Sequence, residues 1–170
     1  MPERSLLTEE LRRRIGEEAT YVAPEPLGRA ALRYFAEAIG DPNPVYVDDA
    51  AARAAGFSGV VAPPTLPVET NAYSGRAPDA MGYIGHRWGI EVPGTREIRG
   101  GHRYAFGRPA RPDDVLHVTW RLDDVVEKTN RAGTTLLFVT ASQTVRAGNG
   151  DHLATNVETT IYQPINRDES

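Results

Sequence analysis

The C-terminal half of the chain is a succession of apolar residues recurring every second position, and no other feature constrains the fold as much. Leu116, Val118, Trp120 and Leu122 alternate with His117, Thr119 and Arg121, Leu137, Val139, Ala141 and Val145 repeat the pattern, and Leu153, Val157 and Ile161 mark a third run. A period of two is that of a strand with one face buried. The segments TNRAG at 129–133 and AGNGD at 147–151 are turns between these runs, and RPDD at 111–114 is a turn ahead of the first. Long strands joined by short turns form an antiparallel meander. A fourth strand is expected over 99–106.

The first half reads differently. Leu27, Ala31, Tyr34, Phe35 and Ala38 recur at helical spacing and predict an amphipathic helix over 27–39 that Gly40 ends. The segment DPNPVYVDD at 41–49 has two prolines and an Asn and demands an ordered turn. A short helix over 50–55 closed by Gly56, a strand-like pair at Val60 and Val61, and a helix over 65–73 opened by Pro63 and Pro64 follow. Residues 6–18 predict a charged helix, with Thr8 as cap and Gly16 near its end, that stands apart from the core as a solvated appendage. Residues 74–99 lack periodicity and are read as a lid or binding loop. Helices first and strands afterwards is an α+β order, satisfied by an antiparallel sheet curled around one apolar helix. The predicted division is an N-terminal helical extension at 1–18, one domain at 19–165 and a tail at 166–170.

Composition removes several chemistries. With no cysteine the chain has no disulfide, thiol nucleophile or Cys-ligated metal. Its basic residues are all arginine apart from Lys128, which lies in no motif for Schiff-base catalysis. The net charge of -4 gives no pull toward nucleic acid. No apolar run approaches the ~18 residues of a membrane span, and residues 1–19 mix acids and bases without an apolar signal core, so the cytoplasm is the expected compartment. The four histidines form no i, i+4 pair, and no metal is expected. Ser58 in GFSGV does not complete a nucleophile elbow, and Gly100–Gly101 is not a phosphate loop.

Two segments carry a resemblance: FAEAIGDPNPVYVDDAAARAAGFSGVVAPPTLP at 35–67 and GGHRYAFGRPARPDDVLHVTWRLDDVVEK at 100–128. They resemble the MaoC-like (R)-specific enoyl-CoA hydratases and the FAS1-like dehydratase N-terminal domain, both of the hot-dog fold. The resemblance implies a single hot dog, with the helix over 65–73 as the element that the sheet wraps. It also implies edge-to-edge pairing of two hot dogs, with acyl-thioester tunnels between them. Active members look like G-D-x-N-P-x-H-x-D followed by I-A-H-G-x. Their Asp and His grip a water, and their Gly amide binds the thioester oxygen.

Here Asp41, Asn43 and Pro44 keep the turn, but Tyr46 stands at the His position and Pro64 at the Gly. A phenol with a pKa near 10 is a poor base at neutral pH, and proline has no amide hydrogen to donate. The resemblance therefore implies a degenerate, pocket-forming subunit of a hetero-oligomeric 2-enoyl-CoA hydratase or 3-hydroxyacyl-CoA dehydratase, completed by a second hot dog. Its substrate is an acyl-CoA or acyl-ACP thioester, and no cofactor is implied. Two alternatives stand beside it: a self-sufficient homodimeric hydratase in which Asp41 works with Tyr46 or with His86 or His102, and a non-enzymatic acyl-thioester-binding protein. The candidate site residues are Asp41, Tyr46 and Asn43 for chemistry, and Pro64, Thr65, Tyr83, Trp88, Arg99 and Arg103 for substrate. Tyr83, Ile84 and Trp88 would form an apolar lid. Arg96, Arg99, Arg103, Arg108 and Arg111 form a basic run that reads either as ordinary surface charge, split between two faces by strand alternation, or as a site for coenzyme A phosphates.

Overall fold

The computed structural model describes residues 5–165. Five antiparallel strands, β1 (Glu18–Val22), β2 (Thr95–Phe106), β3 (Leu116–Thr129), β4 (Thr135–Ala147) and β5 (His152–Pro164), form one sheet in the order β1-β3-β4-β5-β2. The helices are α1 (Glu9–Arg13), α2 (Gly28–Ile39), α3 (Asp49–Ala54) and α4 (Leu66–Glu69). The meander of β3, β4 and β5 follows the predicted turns, and β3 and β4 follow the predicted alternation. β1 was not foreseen, because EATYV is too short and too weakly apolar to stand out. It pairs with β3 from Glu18↔Arg121 to Val22↔His117.

The helix that the sheet wraps is much shorter than expected. Pro63 and Pro64 do lead into α4, but the helix stops after Glu69. Asn71 takes a left-handed φ of 51° and turns the chain into a 3₁₀ turn at Ala72–Ser74. One helical turn cannot cover the concave face. The remainder is covered from two other directions. Leu7 and Leu11, on and before α1, and Trp88, Ile90 and Val92 of the long connection pack on Leu122, Val125, Leu137 and Val139. The charged N-terminal segment is thus not a solvated appendage. Its helix is only five residues long, and it buries two leucines against the sheet. The tail at 166–170 and the first four residues lie outside the described residues.

Val60 and Val61 are buried but form no strand; the Val61 amide donates to the Val45 carbonyl and the Ala62 amide to the Ala110 carbonyl, which ties this segment to the DPNP turn and to the approach to β3. The third alternating run also differs from expectation. Val157 and Ile161 lie on the outer face of β5, and the concave face receives Ala154, Asn156, Glu158, Thr160 and Tyr162 through their pairing with Val145, Gln143, Ala141, Val139 and Leu137. Val157 and Ile161 mark the strand correctly but lie on its outer face, whereas Leu153 is buried in the core. No helix among the described residues is long and apolar enough to cross a membrane.

Candidate active site

The turn after α2 is built from local hydrogen bonds. Gly40 adopts a left-handed φ of 69° and caps α2. Asp41 Oδ1 then accepts from the Asn43 amide at 3.1 Å, and Asn43 Oδ1 accepts from the Val45 amide at 3.2 Å. Pro44 opens a 3₁₀ turn that swings Tyr46 back beneath the loop, where its hydroxyl donates to Asp41 Oδ2 at 3.2 Å. The Tyr46 ring is buried with Ala36 and Val61. Burial first, and then the Asp41 carboxylate, push its phenol further above the ordinary value. Tyr46 is therefore a protonated donor to Asp41 at neutral pH.

Pro64 is exposed and Thr65 half-buried at the start of α4, three residues after the Val61 contact with the turn. These residues and Asp41, Asn43 and Tyr46 flank one segment of the fold.

The remaining substrate residues do not join them. The strand pairing shifts between Arg99 and Gly101, so Gly100 is an extra residue in β2. Such a bulge moves the following side chains to the opposite face. Arg99 pairs with Thr160 and lies on the concave side, whereas Arg103 pairs with Val157 and lies on the outer side. Arg99 and Arg103 thus do not share a face, although their four-residue spacing suggests that they should. Arg108 is held by Asp114 and Asp151, with a bidentate contact of 2.8 Å to Asp114, and serves the turn ahead of β3.

Tyr83 lies near Arg99, close enough for the guanidinium to influence its phenol, and donates to the His86 carbonyl at 3.3 Å. Trp88 packs edge-on against His86, with ring centroids 4.4 Å apart. His86 in turn stacks on Trp120, and its Nδ1 meets the Tyr21 hydroxyl at 2.8 Å. Burial pushes the His86 imidazole down to about 4, with Arg76 adding to the shift. The partners of His86 are Tyr21, Trp88 and Trp120, and none of them belongs to the turn.

Sequence reasoning missed a polar group at the β2–β5 edge. Glu158 pairs with His102 across the strands, His102 Nδ1 meets Asn156 Oδ1 at 3.2 Å, and the Tyr104 hydroxyl donates to Glu69 Oε1 at 2.8 Å. The signal that could have found it is the phase of β5, in which Asn156, Glu158 and Thr160 alternate against Val157 and Ile161. A cavity of about 520 Å³ lies elsewhere, between α1, residues 89–95 and the ends of β2, β4 and β5. It shares no residue with the turn, and the Arg14 guanidinium at its wall is already held by Glu17 and the Trp88 carbonyl.

An antiparallel sheet curled over a short buried helix is the hot-dog fold, which MaoC-like dehydratases share. Residues 13–156 match the family model described as "FAS1-like, dehydratase domain region", and the chain belongs to that family. A UPF0336 protein of Thermobifida fusca is 31% identical over 139 residues, which is 81% of this chain and 84% of that protein. The 3-oxo-4,17-pregnadiene-20-carboxyl-CoA hydratase alpha subunit of Mycobacterium tuberculosis is 51% identical over 51 residues, covering 30% of this chain and 16% of the subunit. Among solved structures, a chain of the ChsH1-ChsH2 complex from Mycobacterium tuberculosis superposes with a TM-score of 0.66 at 27% identity, over 87% of this chain and 85% of that one.

Proposed function

We propose that this protein is the pocket-forming subunit of a hetero-oligomeric 2-enoyl thioester hydratase or 3-hydroxyacyl thioester dehydratase, working in the cytoplasm without a cofactor and completed by a second hot-dog subunit. The observation that carries the reading is the Tyr46 hydroxyl bonded to Asp41, where hydration needs a base. Adding water to a 2-enoyl thioester requires a group that removes a proton from water and donors for the developing oxyanion. A buried phenol with a raised pKa cannot do the first, and Pro64 cannot do the second with its own nitrogen. Losing general acid–base help lowers a rate by roughly 100- to 10,000-fold, and losing one oxyanion donor by roughly 100- to 1,000-fold. The likeness to a chain solved within a two-component complex, and to part of a hydratase alpha subunit, supports a role beside a partner. The single turn of α4 supports a role in shaping the acyl pocket, since the Leu122, Val125, Leu137 and Val139 part of the concave face is covered by α1 and side chains of the long connection rather than by a continued helix.

The test is hydration of crotonyl-CoA and 2-dodecenoyl-CoA by the purified chain, alone and mixed with a hot-dog protein bearing the complete His-containing motif. The chain alone is expected to show no turnover above the uncatalysed rate, and the mixture to be active with its rate insensitive to Asp41→Asn. Turnover by the chain alone that Asp41→Asn abolishes would overturn this reading in favour of a self-sufficient homodimer. Thioester binding without turnover in any mixture would favour the non-enzymatic alternative.

A further inference from the structure

The concave face of the sheet is apolar across β3 and most of β4, but its β5–β2 side is polar. In the row that runs Leu122, Ala141, Glu158 and His102 across four strands, two buried apolar residues are followed by a carboxyl and an imidazole. The next row runs Trp120, Gln143, Asn156 and Tyr104, and here the polar groups are engaged: Gln143 donates to the Val68 carbonyl of α4, Asn156 meets His102, and Tyr104 donates to Glu69. The bulge at Gly100 adds Arg99 to the same side. Bulges of this kind re-aim side chains and concentrate next to functional sites. The strand has also reversed the usual economy of a sheet, turning Val157 and Ile161 outward and Asn156, Glu158 and Thr160 inward. A face meant only for hydrocarbon gains nothing from that reversal, because a polar group taken from water without a partner is costly.

Glu158 is the centre of the arrangement. Burial pushes its carboxyl above the ordinary value, a shift opposed by His102 and Arg99 and reinforced by Glu69 and Glu97. Tyr83, from the long connection, lies close enough to feel its charge. With three carboxyls against one guanidinium and one imidazole, the site does not suit an anion. Its donors and acceptors suit an uncharged oxygen function.

We propose that Glu158, His102 and Arg99 form a hydrogen-bonding site for a hydroxyl or carbonyl carried on the acyl group, away from the thioester. This assignment deepens, and rests on, the reading of the chain as an acyl-thioester-binding subunit. It gives that subunit a preference: oxygenated acyl groups over plain hydrocarbon ones of equal length. α4 links this edge to the turn, since its start adjoins the segment tied to the DPNP turn and its last residue, Glu69, meets Tyr104.

The experiment measures dissociation constants of the full chain for octanoyl-, dodecanoyl- and hexadecanoyl-CoA and for their ω-hydroxy and ω-oxo counterparts by titration calorimetry. For at least one chain length the oxygenated thioester is expected to bind about tenfold more tightly, the value of one or two added hydrogen bonds in a partly desolvated site. Glu158→Leu is expected to erase that ratio while leaving the plain thioester bound at least as tightly, and Glu158→Gln to retain most of it. Equal affinity for plain and oxygenated thioesters at every length overturns the site and leaves the proposed function standing. Binding of neither class, by the chain alone or mixed with the hot-dog protein bearing the complete His-containing motif, overturns both. The wild-type ratio decides the matter even where Glu158→Leu fails to fold.

Discussion

The DPNP turn and the long connection are held in opposite ways. In the turn, Asp41, Asn43 and Tyr46 satisfy one another within a span of six residues. In the connection, His86 and Trp88 are placed by residues remote in sequence: Tyr21 on β1, Trp120 on β3 and Arg14 just after α1. The turn leaves no polar atom stranded, whereas His86 Nε2 and Trp88 Nε1 are buried without a partner. Each such atom costs roughly 1 to 3 kcal/mol. The turn is a locally satisfied unit in which Tyr46 meets Asp41, and the connection is a cover whose fit depends on the whole fold.

The contrast is broken most severely at Tyr73, which is fully buried and accepts the Trp120 indole hydrogen at 2.9 Å. Tyr73→Ala is expected to lower unfolding free energy by about 3 to 5 kcal/mol, read by urea denaturation, and to expose Trp88 and Trp120 to fluorescence quenchers. An unchanged urea midpoint would show that the connection does not lean on this ring.

A smaller effect comes from pH. The folded-state pKa of His86, about 4, lies below its ordinary 6.5, so folding favours the neutral ring. The resulting stability is complete above pH 6.5 and is lost as the pH falls from 6.5 toward 4. Between pH 7 and 4.5 the wild type should lose about 2 to 3 kcal/mol more than His86→Gln. Parallel loss in the two proteins would place the acid sensitivity elsewhere.

The turn should respond least. Tyr46→Phe removes one hydrogen bond to a carboxylate that keeps its Asn43 contact, and a loss of about 1 kcal/mol in the same urea assay is expected. A loss of several kcal/mol would mean that the turn is not the self-sufficient unit its local bonds suggest.

How much of this was legible in the sequence follows the same division. The turn, the helix over 27–39 with its Gly40 cap, and the β3–β4–β5 meander depend on residue types a few positions apart, and each could be read directly. The site residues were legible only where the motif was local: Asp41, Asn43 and Tyr46 do meet, while Arg99 and Arg103 were separated by a bulge that no single residue announces. Glu158 was missed because its strand was read from Val157 and Ile161, and a strand with apolar residues on both faces gives its direction only once its neighbours are in place.

By itself, then, the sequence determined the α+β order, the turn chemistry and the absence of a histidine beside Asp41, since those rest on propensity, spacing and residue identity. Only the tertiary structure decided that α4 would stop after one turn, that α1 and the connection would close the concave face, and that β5 would turn a carboxyl inward. Each of these outcomes balances the burial of one segment against the hydrogen bonds of another distant in sequence, and a local pattern of residues carries no record of that balance.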